Sequence, residues 1–117
     1  MRILAALFLI GHGLVHGIMW ALPYSEEALA DLPMDPSHSW MLGDVREAGL
    51  AFALVVTVAF VVTAGAVLAD AGWWPWAGIV ASALSAVLLA LFFSPWWTIG
   101  FAIDAAVVVM AWRALAD

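Results

Sequence analysis

Four long apolar segments alternate with short polar ones along the chain. The apolar segments cover residues from about 3–22, 47–68, 74–93 and 96–115. Because one helical crossing of a bilayer needs about 20 apolar residues, each segment is long enough to span a membrane once. The pattern predicts an all-α polytopic membrane protein, a four-helix bundle that forms one domain over residues 1–117.

Proline, glycine and charged residues mark the ends of these segments. Pro23 ends the first segment, Asp70 to Gly72 end the second, and Ser94-Pro95 separates the third from the fourth. Pro75 falls in the first turn of the third helix, where its missing N–H costs nothing. Residues 23–46 form the one long polar loop.

Two short features are expected inside this loop. Ser25 to Leu29 can form a short helix, with Ser25 as its cap and two glutamates in its first turn. Asp35 to Trp40 is typical of a turn that leads back to the membrane surface. The run after Met1 continues without a small-x-small cleavage site, so we expect it to be retained as a membrane helix.

Arginine and tryptophan positions predict the orientation. Positive residues are retained on the cytoplasmic side. Arg2 lies at the N-terminal end of the first segment and Arg113 at the C-terminal end of the last. Both termini are therefore predicted to be cytoplasmic, in a multi-pass protein of the plasma membrane, with the long loop outside. The eight tryptophans support this, because they fall at both ends of the segments, where interfacial Trp residues concentrate.

Composition strengthens the membrane assignment and removes other classes. The chain is 68% hydrophobic and 10% charged, whereas soluble domains are roughly 45–50% apolar and roughly 25% charged. A net charge of −6 argues against nucleic acid as a partner, because basic surface dominates that affinity. The absence of cysteine excludes disulfides and thiolate metal sites.

Three ionisable side chains lie inside the predicted membrane helices: His12, His16 and Asp104. Such residues are costly in lipid, so each is a functional hypothesis. His12 and His16 share one helix face because they are four residues apart. With about 1.5 Å of rise per residue, they lie roughly 15 Å and 9 Å below the outer end, and Asp104 roughly 12 Å. We predict that Asp104 pairs with one of them and that the fourth helix packs on the first.

A metal ion or a small polar ligand is the first interpretation of these residues. Two histidines at i and i+4 with a carboxylate from another helix can hold a divalent metal. His38 from the loop would add a third imidazole, in a lid that includes Asp44, and Glu47 and Ser39 are further candidates for the rim of an outward-opening pocket. The alternative is a buried Asp–His hydrogen bond that joins two helices without a ligand.

Small residues are expected where helices touch, since lipid gives helices no hydrophobic drive to associate. Gly13 and Gly17 form a G-x-x-x-G step on the first helix. Gly78, Ser82 and Ala86 form a small-residue stripe on the third. Packing within the bundle is favoured for these residues over a dimer face.

Several segments together resemble a group of uncharacterised small four-helix membrane proteins from actinobacteria. They are Gly11 to His16, Asp35 to Gly43, Phe92 to Trp96 and Ile103-Asp104. The resemblance covers most of the chain and implies a bacterial four-helix topology, without an activity. The length and four crossings also resemble small multidrug-resistance transporters, which carry a glutamate in the first helix where this chain has histidines.

Three functions are compatible with these features. The first is an outward-opening His/Asp pocket that binds a metal ion or small polar ligand, including the case of a membrane enzyme. The second is an accessory or scaffold subunit of a larger membrane complex. The third is a proton-coupled dimeric transporter that uses His12, His16 and Asp104. The sequence assigns no catalytic residue, and a divalent metal is the one candidate cofactor.

Overall fold

Four helices of 18 to 23 residues make up most of the described chain. The structure is a computed structural model, and it describes residues 1–22, 25, 27 and 34–117. The helices are α1 (Arg2–Ala21), α2 (Arg46–Leu68), α3 (Trp74–Leu91) and α4 (Thr98–Ala116). All four are long and apolar enough to cross a membrane, with the fourth span counted from Pro95. The prediction of four membrane-length helices is confirmed for the described residues.

The helix boundaries follow the predicted signals with small shifts. Pro75 lies in the first turn of α3, as expected. α3 ends two residues earlier than predicted, because Phe92 has a φ of −114° and a ψ of 42° and leaves the helical conformation. Pro95–Trp97 form one turn of 3₁₀ helix before α4, and the Ser94 side chain accepts a hydrogen bond from the Trp96 amide.

The polar loop contains a small β-hairpin that the sequence does not predict. Strands β1 (His38–Ser39) and β2 (Gly43–Asp44) pair antiparallel, with His38 opposite Asp44. Two residues per strand are too few to show the alternation by which strands are recognised. The turn predicted at Asp35 is present, since Asp35 Oδ1 accepts a hydrogen bond from the Ser37 amide at 2.9 Å. The helix predicted from Ser25 to Leu29 lies almost wholly outside the described residues.

The hairpin is fixed to the C-terminal end of α3. The Ser39 hydroxyl donates to the Leu91 carbonyl and the Trp40 indole N–H donates to the Ala90 carbonyl, both at 2.6 Å. The last carbonyls of a helix lack partners within it, so side chains from elsewhere commonly satisfy them. These two bonds therefore hold the hairpin beside α3.

The helices pack in chain order, α1 on α2, α2 on α3 and α3 on α4. The core lies along α2 and α3, where the fully buried side chains include Val56, Phe60, Leu88 and Leu89. α4 is the most peripheral helix, since 17% of its span is buried compared with 39% for α1.

The predicted small residues serve this packing to different extents. A Cβ atom on Gly13 would lie 2.7 Å from Phe60 Cβ, and one on Gly17 would lie 2.9 Å from Thr57 Oγ1, so both glycines let α1 approach α2. Gly78 and Ser82 are buried in α3, while Ala86 is half-buried. The G-x-x-x-G residues of α1 therefore pack against α2 of the same chain.

Candidate functional site

His12 and Asp104 form a buried pair between α1 and α4. His12 Nε2 lies 3.0 Å from Asp104 Oδ1, and the two residues are 8% and 4% exposed. This confirms the pairing predicted from helix depth. A buried ionisable pair inside a membrane-length helix bundle is costly unless its members neutralise each other.

The packing expected between these two helices is only partly present. Within the described residues, the backbones of α1 and α4 do not run together, and α4 packs on α3 instead. Asp104 spans the gap with its side chain. A cleft therefore separates the two helices, and the His12–Asp104 hydrogen bond crosses it.

His16 lies one turn from His12 and is anchored by a serine of α3. His16 Nε2 lies 3.0 Å from Ser85 Oγ, and the rings of His12 and His16 meet edge-on with centroids 4.9 Å apart. The sequence pattern did not identify Ser85. The predicted stripe has four-residue spacing and contains Gly78, Ser82 and Ala86, but not Ser85. Ser85 lies three residues after Ser82 on the buried face, and that spacing is the signal that could have identified it.

A cavity of about 550 Å³ occupies the cleft on the Trp97 side of the His12–Asp104 bond. Its walls come from α1, α4, the 3₁₀ turn and one residue of α3. Two lining residues are histidines, His12 and His16. The others are apolar or aromatic: Phe8, Gly11, Val15, Leu89, Trp96, Trp97, Ile99, Gly100 and Ile103.

The Trp97 side chain forms a rigid wall of this cavity. Its indole stacks on Trp20, with centroids 5.6 Å apart and planes inclined by 21°, and its N–H donates to the Phe92 carbonyl at 3.0 Å. Trp20 also packs edge-on against Phe92 and is 1% exposed. Trp20 therefore fills the end of the bundle, and its place at a membrane interface stays a prediction.

The cavity opens between α1 and α4. Phe8, Val15 and Ile99 line it and are exposed on the outside of the bundle. The predicted pocket opens toward the loop, whereas this opening lies on the side of two membrane-length helices.

Four buried side-chain polar atoms have no hydrogen-bond partner among the described residues. They are His16 Nδ1, Asp104 Oδ2, Trp20 Nε1 and Ser82 Oγ. Buried polar atoms are normally hydrogen-bonded, and each exception needs an explanation.

The four candidates from the loop lie elsewhere. His38 Nδ1 pairs with Asp44 Oδ1 at 2.9 Å in the exposed hairpin, Glu47 is exposed in the first turn of α2, and Ser39 caps α3. None of them lines the described cavity, because docking on α3 keeps the hairpin away from the cleft. The predicted lid and rim are not formed.

The predicted metal site is not assembled by the described residues. No three His, Asp or Glu side chains among them come close enough together to hold a metal ion. His38 is engaged in the hairpin, and His12 Nε2 and His16 Nε2 face protein partners. The tetrahedral set with His38 is therefore a wrong prediction for this part of the chain.

Comparisons of the chain with protein-family models, curated proteins and solved structures found no match. The resemblance to small actinobacterial membrane proteins therefore stays a prediction.

A second cavity of about 530 Å³ lies in the cleft on the other side of the His12–Asp104 bond. Arg2 and Arg113 lie at this end, together with Asp70. Arg2 pairs with Asp70 at 2.7 Å, and both side chains are more than half exposed. Exposed pairs of this kind contribute about 0–1 kcal/mol, so this pair adds little to the packing of α1 on α2.

Proposed function

We propose that the chain is a multi-pass membrane protein that binds an uncharged, mostly apolar molecule from the lipid phase in the α1–α4 cleft. The observation that carries this proposal is the cavity of about 550 Å³ at the exposed side of α1 and α4. Binding sites for small molecules are typically about 300–1,000 Å³, mostly apolar, with a few placed polar groups. His12 and His16 are the two polar residues among those that line this cavity.

The charge of the site supports an uncharged ligand. Asp104 is paired with His12, so the net-neutral forms of the pair are the ones favoured at this depth. A charged ligand would have to be desolvated without an opposite charge to meet it. A neutral molecule avoids that cost.

The hypothesis of an accessory or scaffold subunit has less support than ligand binding in the cleft. Gly13 and Gly17 are already in contact with α2, and Gly78 lies against Val107 of α4, so these small residues contact the chain's own helices.

The metal-binding hypothesis predicts zinc bound to the purified protein. Elemental analysis after purification without chelator should find less than about 0.1 zinc, copper, iron or manganese per chain, and one equivalent would contradict our proposal in favour of a metal.

Single-cysteine labelling tests the membrane topology. The natural sequence has no cysteine, so Glu27→Cys and Asp117→Cys introduce unique labels. An impermeant maleimide should label Glu27→Cys in intact bacterial cells and Asp117→Cys only after permeabilisation, because four crossings place the loop outside and the C-terminus inside. Labelling of both variants from the same side of intact cells would contradict the four-crossing topology.

Photolabelling tests binding in the cleft. The probe is a long-chain alcohol that carries a diazirine on its chain, applied to the purified protein in lipid nanodiscs. We expect labelled peptides from both cleft helices, and Gly11→Phe should reduce that labelling at least fivefold. Gly11 lines the cavity and a Cβ atom there meets nothing within 4 Å, so the new ring fills the cleft without disturbing the fold.

The matched control is Gly65→Phe. Gly65 is also exposed on a membrane-length helix, a Cβ atom there meets nothing within 4 Å, and it does not line the described cavity. This variant should label like the natural protein. Equal labelling of Gly11→Phe and Gly65→Phe would mean that the probe reports the lipid-facing surface, and the proposal would fail.

A further inference from the structure

We infer that the tip of the hairpin, Trp40 to Leu42, inserts into the membrane surface, where its three side chains contact lipid acyl chains below the headgroups. The tip connects β1 to β2. This insertion rests on the membrane topology in the proposed function and needs no ligand in the cleft. Three observations carry it: the tip is apolar and exposed, its N–H donors are paired, and it is fixed at the end of a membrane-length helix.

All three side chains of the tip are large, apolar and exposed. Trp40, Met41 and Leu42 are 69%, 64% and 56% exposed. The ionisable residues of the hairpin, His38 and Asp44, lie at its other end, where they pair at 2.9 Å. Turns that face water are usually built from Gly, Pro, Asn, Asp and Ser. A run of exposed apolar residues instead indicates a surface that contacts a membrane or another protein.

The N–H donors of the tip have partners within the chain. Ser39 Oγ accepts hydrogen bonds from the Met41 and Leu42 amides at 3.3 and 3.2 Å. The Trp40 indole N–H donates to the Ala90 carbonyl. Unpaired backbone N–H groups are costly away from water. The tip can therefore enter the interface without leaving these three donors unpaired.

The height of the tip is set by α3. Ser39 and Trp40 bind the carbonyls of Leu91 and Ala90, the last two residues of this helix. The 18 residues of α3 span about 27 Å at about 1.5 Å per residue, close to the roughly 30 Å of a bilayer's hydrocarbon core. The end of α3 therefore lies near the edge of the hydrocarbon, and so does the tip.

Lipid fits this surface better than a protein partner. Trp40 shares a groove with Phe93, which is 59% exposed just after α3, so the apolar surface continues from the hairpin onto the bundle. Tryptophan concentrates at this level of a membrane. Apolar side chains of interfacial segments reach about 5–10 Å into the boundary between headgroups and acyl chains. A bilayer covers such a surface at the end of a membrane helix, whereas a protein partner would have to displace that lipid.

Spin labels on the tip test the insertion. The natural sequence has no cysteine, so Met41→Cys and Leu42→Cys each introduce one site for a nitroxide, and either variant serves if the other does not fold. Power saturation in nanodiscs compares collisions with oxygen, which concentrates in lipid, and with a nickel chelate, which stays in water. At both positions we expect a ratio of oxygen to nickel accessibility several-fold higher than at a water-facing site of the same hairpin.

Two further labels serve as references. Asp44→Cys provides the water-facing site, because the Asp44 side chain is 94% exposed, and it removes only an exposed pair. Its label should collide mainly with the nickel chelate. Val58→Cys lies inside α2 and is 60% exposed, so its label should collide mainly with oxygen.

The references separate failure of the insertion from failure of the proposed function. Ratios at Met41 and Leu42 as low as at Asp44 would place the tip in water and overturn the insertion alone, provided that the Val58 label collides mainly with oxygen. Low accessibility of the tip to both reagents would show that protein covers it, which also overturns the insertion. A Val58 label that collides mainly with the nickel chelate would contradict the membrane topology, and both proposals would fail.

Discussion

Replacing His12 with leucine is expected to destabilise the protein by about 3–5 kcal/mol, because Asp104 is then buried without a partner. Asp104→Leu should cost less, about 1–3 kcal/mol, because an imidazole can remain neutral and loses one hydrogen bond. Unfolding in mixed micelles with increasing denaturing detergent, followed by circular dichroism, measures both changes.

The double variant His12→Leu/Asp104→Leu provides the control. Replacing a buried ion pair by apolar side chains is often neutral, so the double variant should lie within about 1 kcal/mol of the natural protein. Asp104→Asn keeps the shape and should fall between the natural protein and Asp104→Leu. Additive losses in the double variant would contradict a direct pair between the two helices.

Replacing Gly13 with leucine should prevent α1 from docking on α2. A Cβ atom at Gly13 would lie 2.7 Å from Phe60 Cβ and 3.2 Å from the Thr57 carbonyl oxygen, and neither atom can rotate away. Overpacking of this kind costs about 1–3 kcal/mol or more, and here the helix itself must move. We expect loss of the monodisperse peak in size-exclusion chromatography and a lower midpoint in the detergent unfolding assay.

Gly11→Leu is the matched control for this prediction. Gly11 lies two residues earlier on the same helix, and a Cβ atom there meets nothing within 4 Å. Both variants add the same side chain and lose the same glycine flexibility, so their difference reports contact with α2. If Gly13→Leu and Gly11→Leu are equally stable, α1 does not pack on α2 through this face.

The sequence predicts the helices and the central pair because both follow from simple geometry. An apolar run of about 20 residues defines a membrane-length helix. A rise of about 1.5 Å per residue places Asp104 between the two histidines in depth. Depth brings Asp104 within reach of both histidines, and the choice of His12 follows from the packed structure, in which His16 is bonded to Ser85.

The position of the loop residues and the shape of the cleft depend on contacts that no local pattern records. His38 pairs with Asp44 because the hairpin, whose strands have two residues each, puts them opposite each other. Ser39 and Trp40 bind carbonyls of α3 about 50 positions away. The separation of α1 from α4 comes from the packing of α4 on α3, and so the cavity is a property of the assembled bundle.

The chain-order packing of the helices has a consequence for biogenesis. Each helix can meet its packing partner as soon as the next one is synthesised, since α1 packs on α2, α2 on α3 and α3 on α4. The His12–Asp104 bond joins residues 92 positions apart and can form only after α4 is synthesised. In the proposed membrane topology His12 therefore enters the membrane before Asp104 has been synthesised, and we expect their pairing to be the step that completes assembly.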